Sequence, residues 1–299
     1  MDQLSSKYGV SKRQVMKQVG MSPSVYYYRP TSGRKGCLPS TQTWHHTHGW
    51  MDNQVVVKEI EAILSRPFHD YWGYHNVTAE LKETGYHINH KKVYRLMKKA
   101  RLLKPATCLR PTGVVRKFVK FRKVATTRPL ECIEMDIKCV WIPEQGKQAY
   151  LLTLLDIHTR HTLAHRLGWN MKKDDVIRIY ASLVDQGQLP EGAIIRSDNG
   201  SQFLAHKVRE YLKMVGLEQE FTQVATPEEN GHVEAYHGIL KKELFNRFEY
   251  RTYRQASQLI DEFVEYYNTK RRHGSLKRKT PQQQWEQDQH LITPRKNVA

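Results

Sequence analysis

The chain has little cysteine and no long apolar run. Its 299 residues include only four cysteines, none paired as C-x-x-C, which disfavours a zinc site of the finger type. No apolar segment approaches the ~20 residues needed to span a bilayer. The first residues, MDQLSSKYGV, lack the apolar stretch of a secretory signal, so we expect a cytosolic protein. A hydrophobic fraction of 39% is nevertheless enough for globular domains with substantial cores.

Acidic residues are scarce in the front half of the chain. Residues 1–125 contain 23 Lys and Arg against 7 Asp and Glu, a net charge of +16. Residues 126–299 contain 25 against 23, a net charge of +2. An excess confined to one half indicates a polyanionic partner, with nucleic acid ahead of an acidic membrane surface. The alternative is a charge excess that serves only solubility.

Two short helices are predicted near the amino terminus. The first runs from Ser11 to Val19 and ends at Gly20, and Ser22 followed by Pro23 begins the second. A helix, a tight glycine turn and a second helix are typical of a helix-turn-helix. Residues 1–30 are therefore predicted as a segment of this kind.

Residues 31–51 are rich in Thr, Ser, Gly and His and show no apolar periodicity. This composition predicts a linker. Three nearby histidines, His45, His46 and His48, could contribute metal ligands. A polar loop is favoured because no cysteine pair lies at finger spacing.

Residues 52–104 are predicted to form a second, helix-turn-helix-like unit that binds DNA. Its last helix, at 90–100, turns its apolar residues inward and carries no acidic residue. The outer face is basic: Lys91, Lys92, Arg95, Lys98 and Lys99. Such a helix favours a DNA groove or backbone over an ordinary solvated surface. Residues 105–129 are predicted as a basic linker that could track phosphates through Arg116, Lys117, Lys120 and Arg122.

The pattern changes to an α/β class from residue 130. Three short apolar segments, at 131–140, 149–156 and 161–168, predict an antiparallel meander. Four helices are then predicted, at 174–186, 203–215, 229–248 and 252–268, with strands at 193–196 and 218–222 between the first three. We assign this domain to residues 130–285 and a tail to residues 286–299.

Three acids stand out in this domain. Asp136 lies inside an apolar strand, where a carboxylate is costly unless it has a partner or a metal. Asp198 directly follows a strand, at the sheet edge where α/β proteins bind ligands. Glu234 shares one helix face with Gly238 and Lys241. Each acid alone could be a structural acid, a capping residue or an exposed helix residue. Together, in this order, they predict a cation site.

These segments resemble the catalytic core of DDE transposases and retroviral integrases. The resemblance is closest to the OrfB-type transposases of the insertion-sequence-three family of bacterial mobile elements. It covers about residues 55–285 and is carried by Tyr71–His75, Val93–Met97, Asp136 with Ile137, Ser197–Phe203, Glu234–Glu243, and a late motif of Tyr267, Asn268, Arg271, Arg272, His273, Leu276 and Pro281. It implies an RNase H-like mixed five-stranded sheet with flanking helices, preceded by small all-α helix-turn-helix-like DNA-binding domains.

The resemblance also implies a polynucleotidyl transferase in which Asp136, Asp198 and Glu234 are both catalytic residues and metal ligands. They would hold two Mg²⁺ ions, with Mn²⁺ as a substitute. Water would nick the element ends, and the freed 3′-hydroxyl would then attack target DNA. Further DNA contacts are assigned to Lys241, Arg272 and His273.

Double-stranded DNA, both terminal inverted repeats and target, is the implied partner of a homo-oligomer that is at least a dimer. An upstream-frame OrfA-type protein is a further implied partner, and no sustained heptads occur here. The location implied is the bacterial cytoplasm, at the nucleoid. Two alternatives remain open: a non-catalytic DNA-binding regulator of transposition and a simple RNase H-like nuclease.

Overall fold

A computed structural model of the chain describes residues 2–28, 39–104, 125–222 and 230–292. The predicted phosphate contacts of the basic linker, Arg116, Lys117, Lys120 and Arg122, lie outside the described residues. Within the described ranges, no helix has the length and apolar character required to cross a bilayer.

Three short helices form the first segment: α1 (Asp2–Tyr8), α2 (Lys12–Gln18) and α3 (Pro23–Tyr26). Ser11 caps α2 by accepting from the Gln14 N–H, and the Gln14 side chain accepts in return from the Ser11 N–H. This reciprocal cap is the reason that the helix begins there. Gly20 adopts a φ of 69°, which lets the chain turn between the two predicted helices.

The second unit combines three helices with a small sheet. The helices are α4 (Asn53–Leu64), α5 (Tyr74–Glu83) and α6 (His90–Lys99), and the antiparallel strands, in the order β2-β1-β3, are β1 (Gln42–His45), β2 (Gly49–Asp52) and β3 (Tyr86–His87). The linker prediction is therefore wrong for residues 42–45 and 49–51. These strands alternate, with Thr43 and His45 buried and Trp44 exposed opposite Trp50.

The three histidines of this hairpin make internal contacts. His45 Nδ1 accepts from the Thr47 and His48 N–H groups, so its Nε2–H donates to the Thr84 carbonyl at 2.9 Å. The His46 and His48 rings pack on the His45 ring. Both ring nitrogens of His45 thus bond backbone groups, on the hairpin and at the end of α5. His45 is a buried strand residue, so the polar loop expected for the three histidines is wrong at this position.

A five-stranded mixed sheet in the order β6-β5-β4-β7-β8 dominates the rest of the chain. Its strands are β4 (Cys132–Ile142), β5 (Lys147–Asp156), β6 (Thr162–Gly168), β7 (Ile194–Ser197) and β8 (Glu218–Phe221). The first three form the predicted antiparallel meander, and β7 and β8 extend it in parallel from β4. This is the mixed topology that the resemblance implies.

Helices cover both faces of this sheet. They are α7 (Lys173–Asp185), α8 (Ser201–Leu204), α9 (His206–Met214), α10 (Gly231–Ile239), α11 (Tyr253–Thr269) and α12 (Pro281–Asp288), with a π-helical turn at Leu240–Phe245. Ile133 and Met135 of β4 face the core under α7 and α9. Because strand side chains alternate, Glu134 and Asp136 point to the other face, where α10 packs.

The second unit is anchored to the sheet domain by aromatic and charged side chains. Phe68 belongs to the same core cluster as Phe263 and Tyr266. The indole N–H of Trp72 donates to the Tyr266 hydroxyl at 2.8 Å, and both groups are buried. The unit that contains the basic helix α6 therefore packs directly against the domain that contains the three acids.

Candidate active site

Asp136 lies in the middle of β4 with its carboxylate at the edge of a cleft. Its side chain is 24% exposed. One oxygen accepts from the Ile137 N–H at 2.7 Å, and the other lies 3.1 Å from Nδ1 of His237 on α10. The carboxylate is therefore held in one orientation from the strand and from the helix.

Asp198 follows β7 directly, as the sequence predicts for a ligand at the carboxyl end of a strand. The residue is exposed, and the Gly200 N–H donates to its carboxylate at 3.0 Å. Partial burial and the negative charge of Asp136 raise the pKa of Asp198, and the Gly200 bond only partly opposes this. The two aspartates are thus close enough to repel each other, which is the situation a cation relieves.

Glu234 lies in the first turn of α10 and is exposed. It shares with Asp136 a cleft of about 410 Å³, which His237, Gly238 and Lys241 also line. A Cβ on Gly238 would meet no atom within 4 Å, so the helix face beside Glu234 is open. Lys241 is exposed in the first turn of the π-helical segment and adds a cation to the lining of the cleft. π-Helical turns are frequent at functional sites.

The donor chemistry of these acids fits a hard divalent cation. Carboxylate oxygens are the ligands that Mg²⁺ prefers, usually from a few side chains together with substrate phosphates. Asp136 is the common member, since it repels Asp198 and shares the cleft with Glu234. In the described part of the chain, no three His, Cys, Asp or Glu side chains converge tightly enough to form a ready-made metal cage. The arrangement fits cation binding that is completed by substrate oxygens.

His237 was not singled out in the sequence and lies at the centre of this site. Its ring is buried between the Asp136 carboxylate and the Thr153 hydroxyl, which is 3.4 Å from Nε2. Thr153 lies directly opposite Asp136 on β5. The Asp136 carboxylate only accepts hydrogen bonds, so it requires the proton on Nδ1 of the neutral ring, and Nε2 then accepts from the Thr153 hydroxyl. The available signal was the spacing of three residues from Glu234, which places both on one helix face.

Glu134 is a second residue that the sequence analysis missed. It is fully buried and shares a strand face with Asp136. The structure therefore distinguishes the two acids of this strand: Asp136 opens on the cleft, whereas Glu134 is enclosed beneath the start of α10.

The predicted DNA contacts of α6 are unequal in the structure. Lys91, Arg95, Lys98 and Lys99 are exposed on the outer face, as expected. The Lys92 ammonium instead bonds the Gln42 carbonyl of the hairpin, and burial lowers the pKa of Lys92. Four of the five basic groups thus remain directed at solvent.

Arg272 and His273, expected as DNA contacts, are both buried. The Arg272 guanidinium pairs with Glu80 and Glu83 of α5 and bonds the Arg278 carbonyl. Burial, with the charges of Arg271 and Arg160, lowers the pKa of His273 to about 3, so its ring is neutral. The expected contacts do not fit these positions, because both residues are buried. The geometry assigns Arg272 to the junction between the two units.

Comparisons with known proteins agree with this architecture. The integrase core domain family matches residues 126–227, a second integrase core domain family matches residues 215–281, and an HTH-like domain family matches residues 52–107. The transposase for insertion sequence element IS904 of Lactococcus lactis subsp. lactis (strain IL1403) is 26% identical over 246 residues, which cover 77% of this chain and 93% of that protein. The InsK protein, named for insertion sequence element IS150 of Escherichia coli (strain K12), is 25% identical over 263 residues, which cover 82% and 88%.

Among solved structures, the chain is similar to a cryo-electron microscopy structure of the simian T-cell lymphotropic virus intasome in complex with PP2A regulatory subunit B56 gamma. The TM-score is 0.50 and the identity 12%, with 77% of this chain and 76% of that chain covered. This likeness supports the RNase H-like fold. With its integrase core, its HTH-like unit and its insertion-sequence relatives, the chain belongs to the integrase-core transposases of bacterial insertion sequences.

Proposed function

We propose that this transposase nicks the ends of its element by hydrolysis and then joins the freed 3′-hydroxyl to target DNA. In the first step, a water oxygen attacks the phosphorus and the 3′-oxygen leaves with a proton. In the second, the new 3′-hydroxyl attacks a target phosphodiester, so one ester bond forms as another breaks. The second step conserves the number of ester bonds and needs no energy-rich cofactor.

The shared cleft of Asp136 and Glu234 carries this proposal. It brings a strand acid and a helix acid to one open surface with Lys241. The Asp136 charge helps to raise the pKa of Asp198, which follows the neighbouring strand β7. An open acidic cleft edged by a lysine suits a phosphodiester that is accompanied by cations.

Asp136, Asp198 and Glu234 are the proposed metal ligands, and Mg²⁺ is the proposed ion, with Mn²⁺ as a substitute. Two bound ions would stabilise the attacking and leaving oxygens of an in-line displacement. Asp136 would help to hold both ions, and Asp198 and Glu234 would each help to hold one. His237 keeps the Asp136 carboxylate turned toward the cleft.

The DNA backbone would enter beside Gly238, where the helix face is open. Lys241 would bind a phosphate at the element end. Lys91, Arg95, Lys98 and Lys99 would supply backbone affinity from α6, because their side chains face solvent. The partner is thus double-stranded DNA, both inverted repeats and target.

The assembly proposed is a homo-oligomer on DNA, at least a dimer, because two element ends must be joined in one event. An OrfA-type protein from the upstream frame is a proposed further partner. The proposed place of action is the cytoplasm, at the nucleoid.

The substitution Glu234→Gln tests the reaction, with Glu249→Gln as its matched control. Glu249 is an exposed glutamate just beyond the π-helical segment. In Mg²⁺, Glu234→Gln should bind element ends normally but lose cleavage and joining, whereas Glu249→Gln should retain both. Retained joining by Glu234→Gln would contradict the assignment.

Pre-cleaved DNA with free 3′-hydroxyl ends separates the alternatives. A transposase joins such ends to target DNA in Mg²⁺. A simple nuclease cuts uncleaved ends but never joins these, and a non-catalytic regulator binds both substrates without changing either.

A further inference from the structure

Glu134 is a buried carboxylate whose bonds reach the start of the helix that carries Glu234. One of its oxygens accepts from the N–H groups of His232 and Val233, each at 2.8 Å. The other lies 2.8 Å from Nδ1 of His232. A buried charge is costly unless several donors satisfy it. Three donors and the positive end of the helix dipole do so here.

The two ends of this contact adjoin two proposed metal ligands. Glu134 precedes Asp136 by two residues on the same strand face, and Val233 immediately precedes Glu234. The Asn230 side chain also donates to the Met135 carbonyl at 3.3 Å. One carboxylate therefore ties the backbone beside Glu234 to the strand beside Asp136.

We propose that Glu134 is a positioning residue that sets the separation of the Asp136 and Glu234 carboxylates and thereby the affinity for the divalent cation. This inference rests on the proposed metal-dependent function. Besides the Asn230 bond at its N-cap and the His237 contacts with Asp136 and Thr153, helix α10 packs on the sheet largely through apolar side chains. The Glu134 bonds are the charge-assisted contact of its first turn, beside Glu234. A charge-assisted bond to two successive backbone N–H groups determines both the height and the rotation of the first helical turn.

Mn²⁺ binding to the full chain tests the proposal without relying on activity. The test variant is Glu134→Gln, which preserves volume but leaves one acceptor oxygen for three donors. The matched control is Glu131→Gln. Glu131 immediately precedes the same strand and also accepts backbone N–H groups, but from Thr127 and Arg128 rather than from α10. Calorimetric titration with Mn²⁺ gives the Kd, and thermal melting with and without Mn²⁺ gives the cation-induced rise in Tm.

We expect Glu134→Gln to raise the Mn²⁺ Kd by roughly tenfold or more, as losses of ligand-orienting partners generally do. Its cation-induced rise in Tm should shrink in parallel, while Glu131→Gln should match the wild type in both measurements. A folded Glu134→Gln variant with a Kd within about twofold of the wild type would overturn the proposal.

If Glu134→Gln does not fold, His232→Ala decides, because it removes one of the three donors from a half-exposed position. Severalfold weaker Mn²⁺ binding supports the inference, and unchanged binding overturns it. The proposed function fails separately if the wild type neither binds Mn²⁺ nor joins DNA. Asp198→Asn, which removes a proposed ligand, shows what the Mn²⁺ titration and the melting curves look like when the cation site is lost.

Discussion

Replacing Arg272 with alanine removes the ion pairs that join the helix-turn-helix unit to the sheet domain. Arg272 is buried, with a side chain 4% exposed, and bonds Glu80 at 2.6 Å and Glu83 at 2.5 Å. Removing one partner of a buried pair costs about 3–5 kcal/mol because the other charge is left behind. Glu80 retains Arg66 as a second partner and Glu83 is half exposed. The expected loss is therefore at the lower end, about 3 kcal/mol.

Arg66→Ala is the matched control for this substitution. Arg66 also pairs with Glu80, at 2.8 Å, but its side chain is 43% exposed. An exposed pair contributes about 1 kcal/mol or less. Chemical unfolding at neutral pH, followed by far-ultraviolet circular dichroism, should therefore rank Arg272→Ala well below Arg66→Ala in stability.

The pH dependence gives the substitution a second signature. The hydrogen bond from Arg272 lowers the pKa of Glu83, and for Glu80 the bonds and charges of Arg272 and Arg66 outweigh a burial effect that raises its pKa. A carboxyl group whose pKa is lowered in the folded protein stabilises the fold at pH values above its ordinary pKa of 4.5. This contribution is lost as the pH falls through the lowered pKa of the folded state. The difference in the free energy of unfolding between the wild type and Arg272→Ala should thus be largest at neutral pH and should decrease below pH 4.5. The reasoning would be refuted if Arg272→Ala lost no more free energy of unfolding than Arg66→Ala. It would also be refuted if the difference between Arg272→Ala and the wild type stayed constant in acid.

Two further predictions concern DNA. Replacing Lys91 and Lys98 with alanine should reduce the slope of log K against log salt by ~1.8, about 0.9 per phosphate contact. Lys92→Ala should leave the slope almost unchanged in fluorescence anisotropy, since its ammonium bonds Gln42; equal slopes for all variants would count against α6 as the contact. Gly238→Ala should raise stability by about 0.5–1 kcal/mol. Gly238→Leu should fold yet reduce strand joining by roughly tenfold or more, because its side chain occupies the open face, and normal joining would exclude DNA from that face.

The elements that carry the three acids could be predicted because local patterns define them. The apolar run around Asp136 is a strand, the acid at 198 directly follows one, and glycines with positive φ end α7 and α9. The strand signals lie within a few residues of Asp136 and Asp198, so no tertiary information was needed to place these two acids on the correct elements.

The residues that orient the acids could not be found in this way. Glu134 and His237 are defined by partners 98 to 101 residues away in the chain. The only local hint for Glu134 is that it shares a strand face with Asp136. Whether a buried acid serves as a ligand or as a helix anchor depends on what packs over it, which one strand does not reveal.

Arg272 illustrates the same limit for charge. The resemblance implied a DNA contact for Arg272, but its partners Glu80 and Glu83 lie 192 and 189 residues away. The hairpin at 42–52 escaped for another reason. Its buried positions are occupied by Thr43 and His45, and its large apolar residues, Trp44 and Trp50, face outward. Polar residues thus face inward and apolar residues outward, the reverse of the usual strand pattern.

Phe68 bears on where this chain can be divided. It has a left-handed backbone, with φ of 62°, a conformation that costs roughly 1–2 kcal/mol for a residue other than glycine. Its ring packs against Phe248, Phe263 and Tyr266, which offsets that cost inside the core of the sheet domain. A recombinant catalytic fragment that begins at residue 130 would therefore lack part of its own interior. Chimeras that exchange recognition modules between relatives should keep residues 66–72 with the catalytic half. These residues belong to the recognition unit in sequence, but Phe68 packs in the core of the sheet domain.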